Sequence, residues 1–462
     1  MSRFRRPEPF HGGAGRRLQV GQDSLRATAA WALERTLGSA TPVDTWLSAA
    51  QERFEDRDRA LLSELVLGSL RWLRRIDAVI ELASSRRLDD IDPALHGLLR
   101  IAVYQLLFLD RVPPHAVVNE AVEHAQRATH RGGAAFANAV LRRIGRDREL
   151  AAWPLREPDP VRRLAIELSH PDFLVERWLA RFGPDLTRAL LEANNRPKPL
   201  QLLAFRDRGG REFLAEELID AGLEVEPSSI APLGLAVLSG NPFATAAFRE
   251  GRFYVMDEAS QVAALVPPPR PGERIYDAAA APGGKSFALA AVEPSVRLVL
   301  GDVDGGRLAT LKTNLDRLGR PWPRVCADAA HPPFSTPFDR VVLDLPCTGT
   351  GTLRKHPELK WRVTASEVER LAAQARGFLA AAAPLVALGG KLVAITCSLE
   401  AEENEDAVAA FLAEHSEFRP LELGGLLPTP LDRYVRGPGL WRIFPAGHHD
   451  GFTVSVLERV RA

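Results

Sequence analysis

From about residue 251 onward the chain alternates strand-like apolar runs with helical stretches, and few architectures accept that pattern. The strand candidates are Arg274–Asp277, Leu298–Val303, Arg324–Ala327, Arg340–Leu345, Lys391–Thr396 and Phe452–Leu457. Helical segments such as Ser286–Val292, Gly306–Leu318 and Ser366–Leu388 fall between them. Such alternation builds a mostly parallel sheet with helices on both faces. Ligands in sheets of this kind sit beyond the carboxyl ends of the strands. Chemistry is therefore to be sought at those ends.

The rest of the chain has a different grammar. With 462 residues, one core cannot serve the whole. Residues 22–146 read as helix throughout: Leu62, Leu65, Val66, Leu70 and Leu73 recur at helical spacing, as do Leu95, Leu98, Leu99, Ala102, Leu106 and Leu109. Pro113-Pro114 breaks the pattern and opens another helix with Val117, Val118, Ala121, Val122 and Ala125 on its inner face. Six or seven helices are expected. Residues 1–20, with five Arg against Glu8, read as a flexible basic tail, and the Pro-rich stretch 150–160 reads as a linker. Between 160 and 250 a small α+β module is predicted. It has helices at 173–182 and 186–193, a strand at Leu200–Phe205, a helix at 210–221 and a short strand at Leu223–Val225. The domain reading is thus 1–20, 21–148, 160–250 and 251–462.

Composition excludes more than it assigns. Lys+Arg and Asp+Glu both total 59, so net charge selects no partner. Only six of the cations are Lys, and the Arg excess runs along the whole chain, as genome composition would produce. Three Cys without a CxxC make neither a disulfide framework nor a zinc module. No apolar segment follows the N-terminal charges, and the most apolar run, Phe378–Leu388, is too short to span a bilayer. A cytoplasmic protein is expected, with no metal, no membrane association and a monomeric state.

Five strand ends carry residues able to do chemistry. The first gives Asp277 and then Ala278-Ala279-Ala280-Ala281-Pro282-Gly283-Gly284-Lys285-Ser286, a side-chain-poor turn leading into a helix. Such a turn lets backbone approach a ligand closely and offers free N–H groups, although a plain tight turn has the same composition. A phosphate loop of the GxxxxGK[ST] type is excluded, because Ala280 stands where that pattern requires Gly. Asp302 and Asp304 end the second strand, where an acid is placed to accept from ribose hydroxyls, and Asp302 is the preferred candidate. Asp328 ends the third, where a carboxylate could receive an adenine amino group, although a plain turn residue fits that place equally well. The fourth ends in Asp344-Leu345-Pro346-Cys347-Thr348-Gly349-Thr350-Gly351, and the fifth in Thr396-Cys397-Ser398 followed by Glu400, Glu402, Glu403 and Asn404. Two thiols at neighbouring strand ends of a Cys-poor chain suggest nucleophilic chemistry. Cys326, inside the third strand, reads as a small core residue.

The motifs DAAAAPGGKS, DLPCTGTG and ITCSLEAEENED resemble those of RNA cytosine-C5 methyltransferases that use S-adenosylmethionine. Leu353–Trp361, Met256–Gln261 and Asp450-Gly451-Phe452 extend that likeness. Arg57–Ala60, Leu98–Gln105, Val118–Val122 and Asn138–Arg143 make the helical part similar to NusB. The combination resembles the RsmB (Fmu/Sun) family, which methylates small-subunit (16S) ribosomal RNA. Two positions depart from it: Ala279 stands where Cys is usual, and Ser286 replaces the common Thr.

The resemblance implies a multidomain fold: an all-α NusB-like bundle that binds RNA, a small α+β (RRM-like) module, and an α/β Rossmann-like methyltransferase domain. It implies Cys397 as nucleophile, Cys347 as the residue assisting product release, and Asp344 beside the cytosine N3 edge. Ala279, Ala280, Ala281, Pro282, Gly283, Gly284, Lys285, Asp302, Asp328 and Asp344 would hold S-adenosylmethionine. The target base has to leave its stack to reach Cys397. Arg354, Lys355, Lys360 and Arg362 are candidates for the RNA backbone, Trp361 for stacking and Asn195 for a further RNA contact. The competing functions are a transfer-RNA cytosine methyltransferase and a non-catalytic NusB-like RNA-binding factor.

Overall fold

The computed structural model describes residues 24–147, 149–152 and 157–461. The tail expected at 1–20 lies outside these residues, as do Trp153 and Pro154 of the expected linker. The chain divides into two compact units. One holds the described residues up to Arg196 together with His356–Arg362; the other holds Pro197–Lys355 and the chain from Val363.

The first unit is helical. Its bundle comprises α1 (Leu25–Leu37), α2 (Val43–Gln51), α3 (Asp56–Arg71), α4 (Leu73–Ser84), α5 (Pro93–Phe108), α6 (Pro114–Ala128) and α7 (Arg131–Arg146), followed by the short α8 (Glu149–Ala152), α9 (Pro160–Glu167) and α10 (Asp172–Asn194). Local chemistry sets the boundaries. Asp92 accepts from the N–H of Ala94, with Pro93 in the first turn of α5. The apolar positions read from the sequence, Leu62, Leu65, Val66, Leu95, Leu99 and Val117 among them, are buried in one cluster. Inside it the α5 residue Arg100 forks onto Asp77 of α4 (2.8 and 2.9 Å) and reaches Glu34 of α1 (2.9 Å), so its buried charge is paired twice. Gly68 of α3 faces the Tyr104 ring so closely that a Cβ would lie 2.1 Å from it.

The helices expected at 173–182 and 186–193 form one element, α10, broken where Gly183 takes φ +76° ahead of Pro184. The structure groups α9 and α10 with the bundle rather than with the mixed module. Arg74 explains this: its backbone N–H donates to Ser169 Oγ (3.1 Å), and its guanidinium to the His170 carbonyl (3.1 Å) and Asp172 (2.6 Å).

The second unit opens with an antiparallel sheet of order β2-β3-β1-β4, made of β1 (Leu200–Ala204), β2 (Glu224–Pro227), β3 (Gly234–Ser239) and β4 (Phe253–Val255). The helix α11 (Gly210–Asp220) packs against it. A larger sheet follows, of β5 (Arg274–Asp277), β6 (Arg297–Asp302), β7 (Arg324–Cys326), β8 (Phe338–Asp344), β9 (Val386–Thr396), β10 (Phe418–Pro420), β11 (Val435–Gly437), β12 (Leu440–Ile443) and β13 (Phe452–Arg459). Its order is β11-β12-β13-β9-β8-β5-β6-β7, with β10 on β13. The strands β7, β6, β5, β8 and β9 run parallel, and β13 returns antiparallel beside β9. Strand order reverses between β5 and β8, which places a crevice at the carboxyl ends of those strands.

The helix expected over Ser366–Leu388 stops at Ala382, because Pro384 ends it and Val386 already pairs with Phe338. Cys326 is exposed, which corrects its reading as a core residue. The edge strand β7 covers too little of it.

Candidate functional site

Two adjacent parallel strands create the site. The register of β8 on β9 sets Asp344 opposite Ile395, so the loops that leave both strands emerge side by side. Leu345 N–H still donates to the Ile395 carbonyl (2.9 Å) before Pro346 turns the chain. The result brings Cys347 Sγ to 3.4 Å from Cys397 Sγ. Gly351 closes the loop: its N–H donates to the Cys397 carbonyl (2.8 Å) and its carbonyl accepts from Gly451 N–H (2.7 Å). A Cβ there would lie 2.4 Å from Gly451 O and 2.9 Å from Cys397 O, so only glycine allows three backbone segments to meet.

A half-buried cation faces the thiols. Lys285, in the first turn of helix α14 (Gly284–Val292), donates to Asp344 Oδ2 at 2.7 Å and lies 5.3 Å from the centre of the Phe452 ring. Burial works against its charge, but the Asp344 carboxylate outweighs burial and holds it protonated. The two sulfurs are held apart in acidity. The Cys397 thiol is pulled below its ordinary value, first by the hydrogen bond from Cys347, against burial and Asp344, and with help from Lys285. The Cys347 thiol is pushed well above its ordinary value by that same bond, by burial and by the charges of Cys397 and Glu403. Of the two, Cys397 is the sulfur that ionises more readily.

The Gly-rich turn lies one strand away. Asp277 is fully buried, and its Oδ2 accepts from Ser286 Oγ (2.7 Å), a role that the Ser-for-Thr departure preserves. Burial raises its pKa to about 6. Ala280 N–H donates to Gly301 O (2.7 Å), and Ala281 N–H faces Asp302 Oδ2 at 3.3 Å. Gly283 adopts φ +119°, which disfavours any side chain. Asp302 ends β6, whereas Asp304 caps helix α15 (Gly305–Arg317) by accepting from Arg307 N–H (2.8 Å). Asp304 is thus occupied by the helix, and Asp302 is the acid at the strand end. Asp328, beyond β7, is exposed and takes the Ala330 N–H on one oxygen. Lys285, expected on the cofactor, instead has its amine on Asp344.

Five of the six candidate RNA contacts are engaged inside the protein. Lys360 is fully buried, its side-chain nitrogen surrounded by the carbonyls of Arg71 (3.1 Å) and Ser169 (3.3 Å) and by Asn195 Oδ1 (2.6 Å). Asn195 is buried with it, and its Nδ2 donates to Leu168 O. Trp361 packs against the helical core and donates to Leu70 O (2.9 Å). Arg354 is buried and donates to the carbonyls of Gly447 and His449. Arg362, too, donates to carbonyls, of Thr36 and Thr41. Backbone carbonyls, not phosphates, satisfy these cations. Lys355 alone of the candidate cations is exposed.

Sequence reading missed one buried network. Lys198 donates to both Asp257 and Asp450, and Asp450 N–H donates to Asp257 Oδ2 (3.2 Å), so the turn before Phe452 is anchored from two directions. No local periodicity signals a contact across 252 residues. The acidic run after Cys397 also differs from its solvated appearance: Glu400, Glu403 and Asn404 are buried.

The chain matches the family described as 16S rRNA methyltransferase RsmB/F over residues 264–458, NusB over 24–146, and the RsmF/B-like ferredoxin-like domain over 170–244. It is 33% identical over 442 residues to "Ribosomal RNA small subunit methyltransferase B" of Pseudomonas syringae, covering 95% of this chain and 97% of that one. This chain belongs to the RsmB family. A Bacillus subtilis relative named "Probable ribosomal RNA small subunit methyltransferase B" is 33% identical, over 87% of this chain and 91% of its own length. The RsmB-type architecture also appears in the crystal structure titled PH0851, at a TM-score of 0.76 and 29% identity, covering 95% of this chain and 99% of that one. The structure titled NSun6 from Pyrococcus horikoshii shares the fold at a TM-score of 0.54 and 22% identity, covering 62% and 97%. The expected architecture is borne out: a NusB-like helical domain, a ferredoxin-like module and a Rossmann-like methyltransferase domain. The chain is an RNA methyltransferase.

Proposed function

We propose that this chain methylates C5 of a cytosine in 16S ribosomal RNA, using S-adenosylmethionine and passing through a covalent bond between Cys397 and cytosine C6. The observation that carries this reading is the sulfur pair, 3.4 Å apart, with the Lys285–Asp344 ion pair beside it. The turn Ala279–Gly284, Asp302 and Asp328 fit an adenosine group: backbone approaches closely at Gly283, and two carboxylates stand past successive strands. These residues would hold the cofactor, which supplies an electrophilic methyl group when bound.

Cytosine C5 is a weak nucleophile. Addition of the Cys397 thiolate at C6 makes the ring an enamine, and the resulting negative charge at the N3 edge needs a partner. The Lys285 ammonium, held in place by the Asp344 carboxylate, supplies the proton donor and the positive field there. After C5 has taken the methyl group, its proton has to leave before the Cys397–C6 bond breaks. Cys347 is the base at hand: its thiol proton passes to water, and the thiolate then takes the C5 proton, a transfer its raised proton affinity favours. Cys397 then departs as the more acidic thiol. Lys355 contacts the RNA backbone, and the enzyme works as a cytoplasmic monomer.

The test is a side-by-side assay of methyl incorporation into 16S-derived RNA and transfer RNA, followed by bisulfite mapping. Methylation confined to transfer RNA would overturn the substrate. An adduct that survives Cys397→Ala would overturn the nucleophile. Absence of any transfer would favour a non-catalytic RNA-binding factor.

A further inference from the structure

The mechanism proposed above uses two sulfurs for opposite tasks, yet nothing in it explains why sulfurs in contact do not exchange roles. Both are half-buried, and both sit on loops leaving neighbouring strands. The charged groups that face them are few. Lys285 and Asp344 act on Cys397; Cys397 and Glu403 act on Cys347.

Glu403 is the group without an assigned task. It is 1% exposed, in the segment between β9 and helix α17 (Glu405–Glu414). Its Oε1 accepts from Thr348 N–H at 2.8 Å, and its Oε2 accepts from Thr348 Oγ1 at 2.7 Å. Thr348 is itself buried and directly follows Cys347. A buried carboxylate gripping one residue with both oxygens is a directional clamp rather than a solvated charge. The anchor is rigid as well. Neighbouring Asn404 donates to the carbonyls of Ser398 (3.2 Å) and Glu400 (2.7 Å), and accepts from Thr396 Oγ1 (2.6 Å). One short segment therefore ties the Cys397 loop to the Cys347 loop.

We infer that Glu403 is a positioning residue that fixes Cys347 against Cys397 and, by its negative charge, keeps the proton on Cys347 so that Cys397 is the attacking sulfur. The inference rests on the proposed mechanism. It adds that the division of labour is set from the Cys347 side by Glu403 and from the Cys397 side by Lys285. Removing the charge of Glu403 lowers the proton affinity of Cys347, because an anion beside a thiol disfavours the thiolate. Burial raises the pKa of Glu403 itself, with the Glu400 charge adding to it, while hydrogen bonds from Ser398 and Thr348 favour its carboxylate.

The experiment compares the wild type with Glu403→Gln and Glu403→Ala. The pH dependence of iodoacetamide labelling is read separately at Cys347 and Cys397 by peptide mass spectrometry, with exposed Cys326 as internal reference. In Glu403→Gln, which keeps the shape, the Cys347 midpoint is expected to fall by about one pH unit while Cys326 stays fixed. In single turnover the same variant should form the RNA adduct and release it with a pH profile shifted in the same direction. Glu403→Ala should lose positioning too, slowing adduct formation about tenfold or more without changing S-adenosylhomocysteine affinity. A Cys347 midpoint unchanged in folded Glu403→Gln overturns the inference. An adduct absent from the wild type overturns the mechanism instead, whatever the labelling shows.

Discussion

Two lysines, one half-buried and one fully buried, show how the same side chain serves opposite ends. Lys285 has a carboxylate at 2.7 Å, and its pKa is raised although burial opposes the charge. Lys360 has three oxygen acceptors but no carboxylate among them, and burial with the nearby Arg71 charge drives its pKa well below the ordinary lysine range. The first is a source of electric field beside reactive sulfur. The second is a hydrogen-bonding pin that holds residues 356–362 inside the helical unit. The partner makes the larger difference: a cation keeps its charge in a low-dielectric site only where an anion compensates desolvation.

The largest effect should come from the sulfur that the charged lysine supports. Cys397→Ala is expected to lower methyl transfer by about 10³-fold or more and to abolish the covalent adduct, read by gel shift with labelled RNA. Cys347→Ala should instead trap the adduct. Next comes the lysine itself. Lys285→Met should lower kcat by about 10²-fold, with little change in KM for RNA. It should also move the rising limb of adduct formation to higher pH, because Cys397 loses the cation that favours its thiolate. An unshifted limb would break the comparison on that side.

The other lysine should reverse the pattern. Lys360→Met leaves the Arg71, Ser169 and Asn195 oxygens without their donor, so unfolding in denaturant should show a loss of about 1–3 kcal/mol at unchanged kcat. The sign of its pH dependence follows from its lowered pKa. Between the folded-state value and about 10.4 the unfolded chain binds the extra proton. Stability from Lys360 therefore rises with pH through that window and is lost as pH falls through the folded-state value. Wild type minus Lys360→Met should show that slope, and a flat difference would mean that Lys360 is charged in the folded protein. The smallest effect belongs to exposed Lys355. Lys355→Ala should reduce the salt dependence of RNA binding by about one charge and leave kcat alone.

How legible these roles are depends on the range of the interaction. The seven bundle helices and the parallel core strands are visible because each depends on periodicity within the element. The strands β3, β4, β10, β11 and β12 are not read from the sequence. Four of them have only three or four residues, and all pair antiparallel in ways no local run specifies. The cysteine motifs, the Ala279–Gly284 turn and Asp302 stand out because each is a short chemical word at a strand end. Lys360, Asn195, Arg354 and Trp361 look like an RNA-facing cluster, since charge and an aromatic ring in a loop carry that meaning whenever their partners are unknown. Their partners are carbonyls 165 to 291 residues away for Lys360 and Trp361, and carbonyls across the sheet domain for Arg354.

By itself the sequence determined the bundle helices and the parallel core strands, which strand ends carry thiols and carboxylates, and which family the chain resembles, because these follow from nearest neighbours along the backbone. Tertiary structure alone decided that two sulfurs touch, that Lys285 faces Asp344, and that Glu403 grips Thr348. The physical reason is that acidity and hydrogen bonding depend on distances of a few ångströms between residues that the chain keeps dozens of positions apart.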